Sequence, residues 1–95
     1  MIRVSVTYPS AEGSTFDHDY YRNSHVPLVV RAWNPITTSI EKGVQGPSVA
    51  AVHMTFESVD AFHAALGSPL MGEVMADTAV YTNIAPVMQI SEIVE

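Results

Sequence analysis

The order in which hydrophobic periodicity changes along this chain restricts its fold more than any other feature. Ile2, Val4, Val6 and Tyr8 alternate with Arg3, Ser5 and Thr7, a period of two that reads as a strand ended by Pro9. After a loop through Gly13, residues Phe16, Tyr20, Tyr21, Ser24 and His25 follow a helical pattern. Thr15 is its expected N-cap, and Asp17 and Asp19 fall in the first turns, where the helix dipole favours anions. Pro27 lacks an amide donor and pushes Val26 away from helical angles, which predicts a break or kink near His25 and Val26 and a second helical piece reaching Trp33. Residues 36–42 read as a second strand, 43–48 as a turn, and 49–56 as a third strand buried on both faces. Ser58 caps a helix carrying Val59, Phe62 and Leu66, and Ser68-Pro69 opens another short one with Leu70, Met71, Val74 and Met75. Residues 82–94 form a last strand, bulged or at a sheet edge because Pro86 interrupts it.

Strand, helix, strand, strand, helix, strand is the βαββαβ order of the ferredoxin-like α+β fold, a four-stranded antiparallel sheet with its helices on one face. At 95 residues the chain is long enough for one domain, spanning 1–95, and for one core. Charged residues are 15% of it, against about 25% in an ordinary soluble domain. A small protein has much surface to cover, so the shortage predicts that part of it is hidden against another copy. If Ile2, Val4, Val6, Val52, Met54 and Phe56 face the helices, the opposite face carries Arg3, Ser5, Thr7, His53 and Thr55, joined by Val49, Ala51 and Val87. Such a mixed face suits packing on its own symmetry mate, and a homodimer is expected.

The net charge is −6, and the four basic residues, Arg3, Arg22, Arg31 and Lys42, do not cluster. Both facts argue against nucleic acid and against anionic membranes as partners. The chain has no cysteine, which excludes disulfides, thiolate metal sites and a cysteine nucleophile. No apolar run approaches a membrane span, and the alternating start does not resemble a signal peptide. A cytoplasmic location is expected.

Asp17, Tyr21 and His25 stand at i, i+4 and i+8, one stripe of a regular helix. Asp17 reads most simply as a compensating charge in the first turn. His25 has two readings: an acid or base facing a cavity, or a side chain bonded to a carbonyl freed by Pro27. His53, mid-strand among apolar residues, reads as a structural histidine or a ligand contact. No pair of histidines or carboxylates has chelating spacing, so no metal site is expected. Tyr8, Tyr20, Tyr21, Trp33 and Tyr81 either line an apolar pocket or fill the core. Phosphate loops, serine elbows and dinucleotide fingerprints are absent.

Phe16-Asp17-His18-Asp19-Tyr20-Tyr21, followed by His25-Val26-Pro27-Leu28, resembles the F-D-x-x-Y-Y-x-x-x-H-x-P-L signature of EthD domains. The opening strand, the segment from His53 to Ser58, and the end of the chain with Tyr81, Asn83, Pro86 and Gln89 fit as well; residues 33–48 fit least and look shortened. The resemblance implies a ferredoxin-like subunit of a dimeric α+β barrel. It also implies a bacterial cytoplasmic protein of an oxidative pathway, such as ethyl tert-butyl ether degradation. Relatives in the barrel superfamily include cofactor-independent monooxygenases, isomerases and polyketide cyclases, and fold alone does not choose among them.

Two functions are consistent with these residues. One is an enzyme acting without cofactor on a small apolar molecule. His25 would be its acid or base and Tyr21 would orient the substrate. Asp17, Tyr20 and His53 would add ligand contacts, and Tyr81 and Asn83, near the start of the last strand, would line the pocket mouth. The other is a non-catalytic binding or accessory protein using the same pocket.

Overall fold

The structure, a computed structural model, describes residues 1–94, all but the last position of the expected domain. The elements are β1 (Ile2–Pro9), α1 (His18–Tyr20), a π-helical turn (Tyr21–His25), α2 (Val26–Trp33), β2 (Thr37–Lys42), β3 (Ser48–Phe56), α3 (Val59–Ala65), α4 (Met71–Tyr81) and β4 (Val87–Glu92). The strands form one antiparallel sheet in the order β2-β3-β1-β4. This is the ferredoxin-like α+β arrangement. β1 lies in the interior of the sheet, with Val4 opposite Met54 and Ile90, and Val6 opposite Val52 and Met88.

Period-two alternation decides which face each strand residue takes. Ile2, Val4 and Tyr8 of β1 are buried with Val52, Met54 and Phe56 of β3, against Tyr21, Val29, Trp33 and Phe62 from the helices. Phe62 touches Trp33 and Phe56 at ring-centroid distances of 5.3 and 5.2 Å. β3 is fully buried on the helix side, and on the other side Ala51 is buried too, but Val49, His53 and Thr55 are only half-buried there, which narrows the expectation of burial on both faces. Between β2 and β3 the backbone approaches itself closely: a Cβ on Gly43 would lie 2.0 Å from the Ser48 carbonyl oxygen, so only glycine fits there.

Several local expectations change. The N-cap of α1 is Asp17, not Thr15. Asp17 has extended angles, and its carboxylate accepts from the Tyr20 amide at 3.0 Å. The expected disturbance before Pro27 is a widened turn rather than a break, and Val26 keeps helical angles. In a regular α-helix the proline ring would collide with a carbonyl four residues back. The chain instead widens one turn beforehand, and the Val26 amide bonds the Tyr21 carbonyl five residues away. α2 ends at Asn34, in the left-handed conformation that asparagine tolerates, with its amide on the Val30 carbonyl at 2.8 Å. Ser58 caps α3 as expected, accepting from the Ala61 amide at 3.1 Å. The helix after Pro69 is longer than expected and reaches Tyr81. β4 starts only at Val87, after Pro86, and is an edge strand.

Candidate functional site

Between the helices and the sheet lies a cavity of about 210 Å³. An apolar cavity of about 150 Å³ is enough to hold benzene, so this one accommodates a single substituted ring or an aliphatic molecule of that size. Apart from His25, Thr78, Trp33 and three tyrosines, its wall is hydrocarbon and thioether. Four of the five methionines, Met54, Met71, Met75 and Met88, contribute to it. Methionine is flexible and polarizable, and a wall built from it adapts to the shape of what it holds. Met75 is 69% and Met88 47% exposed, so these two stand where the cavity meets the surface.

His25 is brought here by the π turn. Closing the turn over five residues sets Tyr21 and His25 nearly above one another, with rings stacked at 5.6 Å and 18°. Tyr81, the last residue of α4, lies against the imidazole at 4.4 Å between centroids. His25 is 5% exposed and lines the cavity. Its Nδ1 is 2.9 Å from Oδ2 of Asp77, and the other oxygen of that carboxylate accepts from the Tyr20 hydroxyl at 2.6 Å. A carboxylate accepts only, so Nδ1 carries the hydrogen and Nε2 keeps its lone pair. Among the described residues no protein group bonds Nε2.

The electrostatics fit that protonation state. Burial pushes the His25 imidazole below the usual histidine value, against the opposing pull of Asp77. Burial acts to raise Asp77, but the hydrogen bonds from Tyr20 and His25 outweigh it and hold the carboxyl below its usual value. The hydrogen bond to Asp77 raises the Tyr20 phenol. Tyr8 and Tyr81 share a buried hydroxyl–hydroxyl bond of 2.7 Å. Burial raises the Tyr8, Tyr21 and Tyr81 phenols well above the ordinary tyrosine value, so all three stay protonated, one of the Tyr8–Tyr81 pair donating to the other. The arrangement is a neutral base oriented by a carboxylate, in an apolar chamber with phenolic donors beside it.

Of the residues singled out from sequence, Tyr21, His25 and Tyr81 converge on this cavity. Tyr20 does not line it; it reaches the imidazole through Asp77. Asp17 is the cap described above and lies outside, as does Asn83. The side-chain oxygen of Asn83 accepts from the Thr15 amide at 2.9 Å and its nitrogen donates to the Gly13 carbonyl at 3.2 Å, so it ties two loops together rather than guarding the mouth. Tyr81 closes a helix instead of opening a strand. His53 is on the opposite sheet face, with Nδ1 2.8 Å from the Ser5 hydroxyl and Nε2 2.9 Å from Glu41. Asp77 was not anticipated. Its only sequence signal is that it shares the stripe of Val74, Thr78 and Tyr81, the buried side of α4, where a carboxylate needs a partner. Among the described residues no three histidines, aspartates or glutamates come together as a metal-ion set.

No family model and no curated protein matches the sequence. Solved structures do. An EthD-like protein from Ralstonia eutropha JMP134 is 39% identical, with a TM-score of 0.89 over 99% of this chain and 92% of that one. An ethyl tert-butyl ether (EthD) family protein from Bacillus halodurans C-125 superposes with a TM-score of 0.77 at 16% identity, over 99% of both chains. An antibiotic biosynthesis monooxygenase shares the fold alone, with a TM-score of 0.61 at 8% identity over the full length of each chain. Identity at this level along nearly all of both chains, with Tyr21 and His25 of the Phe16-to-Leu28 motif in the cavity wall, decides the family: the chain belongs to the EthD-like proteins.

Proposed function

We propose that this protein binds a compact apolar molecule, of about one substituted ring, in the cavity between sheet and helices, and that His25 removes a proton from it. The carrying observation is the 2.9 Å contact between His25 Nδ1 and Asp77 in a chamber otherwise almost free of polar groups. A C–H or O–H proton of the bound molecule passes to Nε2, and the imidazolium so formed is stabilised by Asp77. The negative charge left on the molecule lies among the protonated phenols of Tyr21 and Tyr81. The protein's own groups supply every part of this transfer, so no cofactor is invoked. Membership among the EthD-like proteins makes an oxidative pathway for ethers or related small apolar compounds the setting of choice, with the working unit a homodimer.

The methionine wall favours a second reading, in which the cavity serves a binding or accessory protein that holds such compounds without changing them. One experiment separates the two. Small aromatic compounds and ethers bearing an acidic C–H are screened for a rise in melting temperature, and the hits are incubated with the protein in D₂O. The first reading expects deuterium to enter the acidic position with wild-type protein and not with His25→Ala, while His25→Ala still binds. Binding by the wild type without exchange supports the carrier. Exchange undiminished in His25→Ala retires the catalytic role. His63, on an exposed face of α3, serves as the control, and His63→Ala should behave as wild type.

A further inference from the structure

The Asp77 carboxylate uses its two oxygens on two different partners: Oδ2 on His25 at 2.9 Å and Oδ1 on Tyr20 at 2.6 Å. The three side chains come from α1, the π turn and α4, and the elements carrying them are tied independently. The Asp17 amide donates to the Tyr81 carbonyl at 2.8 Å, and Phe16 bridges Thr82. The helices therefore do not need the Tyr20 hydroxyl to stay together. Tyr20 is itself half-exposed and does not line the cavity, so its phenol faces Asp77 rather than a ligand.

We infer that Tyr20 is a positioning residue for His25, which acts through Asp77 to hold the imidazole with its hydrogen on Nδ1 and to limit how strongly the carboxylate draws a second proton onto the ring. A short donor bond to Oδ1 takes up part of the carboxylate's charge, and what remains is available to His25. The groups facing the ring are few. α4 brings Asp77 and Tyr81, and the π turn brings Tyr21. β1 brings Tyr8, whose hydroxyl is engaged by Tyr81. Asp77 is the one among them that is charged at neutral pH, so the hydrogen bond that moderates it sets the basicity of His25. This inference rests on the reading of His25 as a base, and it gives Tyr20 the task of keeping that base unprotonated near neutral pH.

The test uses ligand-free protein and the titration of the His25 ring resonances by NMR, so its outcome does not depend on finding a substrate. In Tyr20→Phe, Asp77 loses a donor and pulls harder on the imidazolium. His25 should then titrate about one pH unit higher than in wild type, a tenfold change in proton affinity. In Asp77→Asn the pull disappears, burial acts alone, and His25 should titrate lower than in wild type. Opposite shifts in the two variants are the expected result. A merely structural Tyr20 would lower the melting temperature and leave the His25 titration where it was. That result, or shifts of the same sign in both variants, overturns the inference. The ring-nitrogen resonances of the wild type give a second check independent of both variants: its neutral imidazole should carry hydrogen on Nδ1, facing Asp77, and a neutral ring with hydrogen on Nε2 also overturns the assignment. Failure of the deuterium-exchange experiment with these shifts present would instead refute the proposed catalysis and leave the positioning intact.

Discussion

His25 is governed by two opposed influences, and their balance is measurable as stability against pH. Burial lowers its proton affinity in the folded protein, and Asp77 only partly offsets this. In the unfolded chain the ring titrates near its ordinary value of about 6.5. A histidine depressed on folding gives stability that is present above the unfolded value and lost as pH falls through the folded one, because there the unfolded state binds the extra proton. Asp77, also depressed, adds stability that is present above its unfolded value, about 3.8, and is lost below it. Denaturant unfolding between pH 7 and 4 should therefore show stability declining from about pH 6.5 downward. In His25→Gln that decline should be shallower. The difference between the two proteins separates His25 from His18, which is likewise lowered by burial and by Lys42. Equal slopes would mean that His25 is not held neutral. Sequence exposed half of this pair. His25 stands beside Pro27 in a recognisable motif, whereas Asp77 lies 52 residues away and meets it only once the helices pack. Spacing rules describe neighbours on one element, and a dyad assembled from two helices has no spacing to read.

At the level of elements, Pro27 shapes the site without touching a ligand. Its missing amide and bulky ring forbid a regular α turn, and the π turn that results stacks Tyr21 on His25 and delivers both to the cavity. The proline was legible as a disturbance, but the form of its accommodation was not. A break and a widened turn both relieve the clash, and the choice is made by tertiary contacts such as the Asp77 bond. The strands were legible almost throughout, because alternation fixes which side chains face the core. The last strand was read too long because residues 82–86 continue its composition while forming only a bridge from Thr82 to Phe16. Pro27→Ala isolates the role of the turn. Alanine restores an amide and allows an ordinary α turn, so stability should change by no more than about 1 kcal/mol. Relaxation of the turn would rotate His25 relative to Tyr21. Deuterium exchange on a bound compound, or its affinity if there is no exchange, should fall tenfold or more. Full retention of both would show that the π turn is incidental.

For the whole molecule, the open question is what covers the sheet. Every residue of β2 is exposed, and so is nearly all of β4, with Val87 at 53% on the side away from the helices. The face away from the helices carries Ser5, Thr7, Val49 and Val87 and the His53–Glu41 pair, with Arg3 as its one further charge. Two such faces meeting would bury on the order of 1,600 Å² in total, the size of a stable interface, and would account for a chain with only 15% charged residues. The helix-side cavity would stay open, because its mouth at Met75 and Met88 lies on the other side of the sheet. Sedimentation at micromolar concentration should give about twice the 10.3 kDa of the chain. Val87→Arg places a long cation on that face, opposite Thr7 at a position 53% exposed in the single subunit, so the subunit itself is not burdened. In a dimer the same arginine is driven into a packed interface, where a bulky charge costs far more than it does in water. The variant should sediment as a folded 10.3 kDa species with an intact cavity. A wild-type chain that remains at that mass, or a variant that remains a dimer, would show that this face is not the one that pairs.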